Sequence, residues 1–213
     1  SSDTTARFTT EDTPNRSIDV EASDLTLECD GAGNQAELAS WLASNGAALA
    51  SDFFSGVVWS NDYDPANFVD LCGATGYVDV VFTDKELSYN SSDTKARFTN
   101  EDNTNPSIDV EASDLTVECD GAGNLAELAA WLANNGGAAA TDLCGNVTWS
   151  NNFLGLSNGC GNTGSSTVTF TATDDCGNAV TSTAVFTIED NTAPSIDTAA
   201  SNMTVECDGA GNT

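Results

Sequence analysis

The chain has 213 residues, 33 acidic against five basic (Arg7, Arg16, Lys85, Lys95 and Arg97), no His, and a formal net charge of −28. Without His the usual neutral-pH proton shuttle and most nucleophile–base pairs are missing, so the chain is not expected to be an enzyme. The charge offers no basic patch to phosphates and repels anionic membrane surfaces, so no nucleic-acid partner is expected, and no apolar run approaches the roughly 20 residues that cross a bilayer.

Thr, Ser, Asn, Asp and Gly are abundant, as in disordered chains, but four Trp, nine Phe and clean apolar alternation point to a folded protein. An internal repeat sets the architecture. Residues 7–34 read RFTTEDTPNRSIDVEASDLTLECDGAGN, and residues 97–124 repeat them with five differences in 28 positions. A third copy starts at Val185, and Cys29, Cys119 and Cys207 recur at intervals of 90 and 88 residues. That period suits one small domain per repeat. Polar, Pro-containing breaks at EDNTNPS and EDNTAPS set the domain frame. Residues 1–12 then read as the last strand of a preceding repeat, 13–102 and 103–190 as two complete domains, and 191–213 as the start of a third.

In chain order, each domain opens with short strands and continues into one embedded helix. In the first domain Asn34 is the expected N-cap, Glu37 the partner in a capping box, and Leu38 and Leu42 lie on the apolar face. In the second, Leu115, Val117 and Cys119 alternate with Thr116 and Glu118 as a strand. The helix follows with Asn124 and Glu127 as capping box and a stripe of Leu125, Leu128, Ala129 and Leu132. Asn45-Gly46 and Asn135-Gly136 end the two helices. Residues 147–150 (VTWS) form a strand, as do TVTFTATD, with Val168, Phe170 and Ala172 inward, and AVTSTAVFTI, with Val180, Ala184, Phe186 and Ile188 inward. Residues 174–178 between the last two make a hairpin turn. Trp41, Trp59, Trp131 and Trp149 read as core, with a sugar-binding aromatic platform as the functional alternative. The fold class is therefore mostly β: tandem sandwiches, each with one short embedded α-helix.

Seven Cys in small acidic domains point to oxidation outside the cytoplasm. Domain two carries Cys119, Cys144, Cys160 and Cys176; domain one keeps Cys29 and Cys72 but has Phe54 and Ser88 at the other two places. Joint loss suggests that the lost pair is bonded, which predicts Cys29–Cys72, Cys119–Cys160 and Cys144–Cys176, with the partner of Cys207 beyond residue 213.

The string TFTATDDCGNAVTSTAVFTIEDNTAPSID, followed by a DLTVEC-like strand, resembles hyalin-repeat (HYR-like) immunoglobulin-fold domains. The resemblance runs over essentially the whole chain, although VVFTDKELSYNSSDTKARF in domain one departs from the DDCGN hairpin. Such repeats recur in very long bacterial surface adhesins, including gliding-motility adhesins exported by the type IX system. The resemblance implies immunoglobulin-like sandwiches in an extracellular stalk on the bacterial cell surface. Its partners would be neighbouring repeats and a surface glycan or protein target. A self-assembling filament subunit and a carbohydrate-binding module are the alternatives. In such a sandwich the turn between the last two strands lies at the domain's N-terminal end. Glu101 and Asp102 should then approach Asp174 and Asp175 of the following domain, with Asp120 nearby and Glu189-Asp190 as equivalents at the next junction. These carboxylates are candidate calcium ligands at domain junctions; ordinary turn carboxylates bonding their own backbone are the other reading.

Overall fold

The computed structural model describes residues 6–7, 17–51, 56–85, 91–207 and 209–210. The strand expected over residues 1–12 falls almost wholly outside them, as do Phe54 and Ser88.

The alternating apolar residues build two copies of one arrangement. The first comprises β1 (Ile18–Val20), β2 (Leu25–Glu28), α1 (Gln35–Ala43), β3 (Leu49–Ala50), β4 (Val58–Asn61), β5 (Val69–Asp70), β6 (Gly76–Lys85) and β7 (Ser91–Glu101). The second comprises β8 (Ser107–Val110), β9 (Leu115–Glu118), α2 (Leu125–Ala133), β10 (Ala139–Thr141), β11 (Thr148–Asn151), β12 (Gly164–Thr173) and β13 (Ala179–Glu189). In each, a long terminal hairpin (β6–β7, β12–β13) forms the centre of the main sheet. A short early strand (β2, β9) pairs parallel with the last strand, and β4 or β11 borders the other side. A two-stranded sheet, β1–β3 or β8–β10, stands apart from the main sheet. This is the mostly β, immunoglobulin-like sandwich expected, with one helix per unit.

The core sits between the main sheet and the helix. Val168, Phe170, Ala184, Phe186 and Ile188 from the sheet meet Leu128 and Trp131 from α2. The Trp131 ring stands edge-on to Phe170, with centroids 5.2 Å apart, and its Nε1 donates to the Ser113 carbonyl at 3.0 Å. Trp41 does the same against Phe82 and the Ser23 carbonyl. Gly136, at φ 66°, passes so close to Phe170 that a Cβ there would lie 2.9 Å from its ring. Trp41 and Trp131 are buried in the two cores, and Trp59 and Trp149 pack against them partly buried.

Two expectations for the helices are corrected. Asn124 and Asn34 adopt left-handed backbone (φ 49°) and make no side-chain cap. The Asn124 amide instead ties the preceding loop, accepting from Asp120 N at 3.2 Å and donating to the Glu118 carbonyl at 3.0 Å. The capping box is lost because this loop claims the Asn side chain first. The buried face of α2 is Leu128, Trp131 and partly buried Leu132, whereas Leu125 is 69% exposed and Ala129 is exposed. The bulk of Trp131 sets the rotation of the helix.

Residues 195–198 and 203–206, which match β8 and β9 in the repeat, form no strand. In the two complete units the equivalent segments pair with strands later in the same unit.

Phe186→Ala should cost about 3–5 kcal/mol in denaturant unfolding, because a fully buried aromatic leaves a cavity. Leu125→Ala should change stability by no more than about 0.5 kcal/mol, since it lies on the solvent side of α2. A large loss from Leu125→Ala would contradict this helix rotation.

Candidate metal centre at the unit junction

The junction is built from the end of β7 outward. Glu28 and Glu101 are register partners in the parallel β2–β7 pair. The Glu28 carboxylate reaches past the strand end and accepts from Asn103 N at 2.8 Å and Thr104 Oγ1 at 2.7 Å. These hydrogen bonds, that of the Thr104 hydroxyl foremost, favour the ionised form and lower the Glu28 pKa. Glu118 repeats the device at the end of unit two, accepting from Asn191 N and Thr192 Oγ1. The chain leaving each unit is thus tied back to that unit's own sheet.

Two disulfides then cross from one unit to the next. Cys29 bonds Cys144 and Cys72 bonds Cys176, over sequence separations of 115 and 104 residues. This corrects the expected pairings Cys29–Cys72 and Cys144–Cys176, and Cys119, expected to bond Cys160, is free, as are Cys160 and Cys207. Joint loss of two cysteines has a second explanation that the structure selects. Cys144 and Cys176 both bond the preceding unit rather than each other, so two cysteines can be lost together without having been partners. Around the bonds the surfaces fit closely. Ala74 N donates to the Cys144 carbonyl at 2.6 Å, and Gly73, at φ 55°, leaves no room for a Cβ against that same oxygen.

Three carboxylates converge between the disulfides. Asp102, Asp142 and Asp174 each present an oxygen within 4.8 Å of the others. Each uses Oδ1 to accept from the backbone N–H two residues on: Thr104 at 3.1 Å, Cys144 at 2.8 Å and Cys176 at 2.8 Å. Asp174 Oδ1 also accepts from Asn178 N, and the Asn178 amide donates across the junction to the Asp102 carbonyl at 3.1 Å. Burial, reinforced by the neighbouring Asp142, Asp174 and Glu28 charges, raises the Asp102 pKa.

Of the carboxylates singled out by sequence, Asp102 and Asp174 meet here. Glu101 is exposed at the end of β7. Asp175 is exposed and turns to Asn146, accepting from its N–H at 2.9 Å. Asp120 lies at the other end of unit two, beside Glu189, where Cys119 N donates to the Glu189 carbonyl. Its Oδ1 accepts from Asn124 N and from Ala122 N, and these bonds, that of Asn124 foremost, lower its pKa. Glu189 and Asp190 are exposed at that same end. Asp142 escaped the sequence reading. The signal was an Asp-x-Cys pattern repeated at 142–144 and 174–176, in which the carboxylate turns back onto the cysteine N–H.

No family model matches the sequence, and no curated protein matches it. Solved structures to which the chain is similar include the Drosophila N-cadherin EC1-4 fragment, with 10% identity and a TM-score of 0.32 over 67% of this chain and 44% of that one. An immunoglobulin-domain triplet of titin gives 8% and 0.28 over 82% and 66%. The human desmocollin-1 ectodomain gives 10% and 0.26 over 86% and 43%. This chain therefore spans less than half the length of either cadherin-type structure, and likenesses this distant carry no conclusion about function. Among the described residues, no helix is long and apolar enough to cross a membrane.

Thiol titration of the denatured, unreduced chain should find three free thiols, Cys119, Cys160 and Cys207. Bonding within each unit would leave only Cys207, so a count of one would contradict the junction described here.

Proposed function

We propose that the chain is a non-catalytic stalk segment of an extracellular, tandem-repeat surface adhesin of the bacterial HYR-like type. The observation that carries this reading is the placement of both disulfides between units rather than within them. Neighbouring domains on one chain ordinarily move against each other unless a large interface joins them. Covalent bonds across the junction are what a projecting rod under tension requires, and disulfides persist outside the cytoplasm. The acidic surface supports the same reading, because self-repulsion keeps such rods soluble and apart.

Cys119 and Cys160 extend the scheme. They hold in unit two the repeat positions from which Cys29 and Cys72 reach forward in unit one. In a longer array they would take the cysteines of a following unit wherever that unit carries them, so that junction is stapled in the same way. Export through a type IX system and a role in gliding belong to the same proposal and rest on the family resemblance. A carbohydrate-binding role draws no support from Trp41 and Trp131, which lie buried in the cores.

Pulled from its ends, the oxidised chain should extend only to the Cys29–Cys144 bond. Reduction should then release the 115-residue separation that this bond spans, lengthening the fully unfolded contour by about 400 Å. A contour unchanged by reductant would overturn the load-bearing role. An antibody against the chain should label intact source cells; labelling only after permeabilisation would overturn the surface location.

A further inference from the structure

The three junction aspartates are an incomplete coordination shell. Asp102 is 9% exposed and Asp174 5% exposed. The Oδ2 atoms of both are buried with no hydrogen-bond partner among the described residues. Each aspartate has its Oδ1 fixed by a backbone N–H, so the second oxygen is held in a set direction. No described Lys or Arg pairs with any of the three; the ion pair among the described residues is Arg97–Asp79, on the open face of the β6–β7 hairpin. Buried carboxylates this close repel one another, and burial without a counter-charge is strongly unfavourable.

The donor set identifies the counter-charge. All three ligand atoms are hard carboxylate oxygens, and the nearby sulfurs of Cys144 and Cys176 are committed to disulfides. Soft or imidazole-seeking metals find no suitable donor here. Calcium takes six to eight oxygens at about 2.3–2.6 Å in adaptable geometry, so opposite ligands lie about 4.6–5.2 Å apart and adjacent ones closer. Oxygens within 4.8 Å of one another fit that sphere. A cavity of about 150 Å³ opens beside Asp102 and Asp142, bordered by Thr104, Asn105 and Ser107, with room for water.

The repeat supplies a separate indication. Aligning the hairpins through Phe82 and Phe170, which face Thr94 and Ser182, sets Glu86 against Asp174. Asp12 and Asp52 match Asp102 and Asp142 in the same way. The sequence at the preceding junction, Asp12 with Asp52 and Glu86, therefore has a carboxylate at all three positions although Phe54 and Ser88 stand where the cysteines would be. The carboxylates are retained where there is no disulfide to position.

We propose that Asp102, Asp142 and Asp174 bind one calcium ion, which joins the last strand of unit one to two loops of unit two. This does not rest on the stalk reading and can fail without it. The test is calorimetric titration of the chelator-treated, oxidised full chain with calcium chloride, with thermal melts in parallel. One ion should bind, with a Kd of about 0.1–1 mM as in extracellular calcium modules. The melting temperature should rise with calcium concentration by mass action. Asp142→Asn should weaken binding at least about tenfold, since a carboxylate ligand is lost. Asp102→Asn should weaken it similarly yet raise the melting temperature of the metal-free chain, an opposite pair of effects that misfolding would not produce. Asp175→Asn should bind as the parent does. Overlapping melts with calcium and with chelator would overturn the site. Unchanged binding in both Asp102→Asn and Asp142→Asn would overturn it too, placing any calcium elsewhere on the acidic surface. An equal response to magnesium would overturn the assignment to calcium.

Discussion

The covalent bond from the end of one sandwich to the start of the next is the constraint on which the rest depends. Each disulfide closes a loop of more than a hundred residues, spanning 115 and 104 positions. In the chain-entropy picture such a closure, taken alone, stabilises the folded state by about 4–5 kcal/mol. For units of this size that is comparable with much of the net stability a domain possesses. The bonds also determine what may stand around them. Gly73 must lack a side chain because the Cys144 carbonyl lies against it. Asp142 and Asp174 turn their Oδ1 atoms onto the cysteine N–H groups, which fixes both carboxylates beside the disulfides.

The charge of the chain acts against this closeness. At a net −28 the units repel one another, and three carboxylates are gathered at the place where they touch. Part of that acidity is absorbed locally: Glu28 and Glu118 are held ionised by the Thr and Asn of the outgoing linker. The sign of their effect is fixed by the lowered pKa. Their contribution to stability is present above the unfolded carboxyl value and is lost as the pH falls through the folded one. Asp102 runs the other way, since burial and its acidic neighbours raise its pKa, so its ionisation opposes folding as the pH rises through the folded value. A bound cation reverses that opposition, which makes the junction responsive to its ionic surroundings.

The sheets were legible in the sequence because a period of two has one solution once a face is buried. Val168, Phe170 and Ala172, and Ala184, Phe186 and Ile188 across from them, are all fully or almost fully buried as their alternation required. The helices were legible in place but not in rotation, because Leu125 satisfies the spacing of an apolar stripe while the larger Trp131 takes the core. Asn124 carries a cap residue's identity, yet the CDGAGN loop holds its amide before the helix can. The disulfides were misread because comparing repeats reveals which cysteines are lost together, not whether their partners lie in the same unit. Asp102 and Asp174 were legible from sandwich topology. Asp142 follows β10, in a loop away from the hairpin turn and the linker, and only its Asp-x-Cys likeness to residues 174–176 marks it.

With disulfides joining them, the two units should move as one body. Amide relaxation of the oxidised chain by NMR tests this most directly. Residues 18–101 and 107–189 should share one rotational correlation time, which splits into two shorter ones when the disulfides are reduced. Independent tumbling of the two units in the oxidised chain would contradict it.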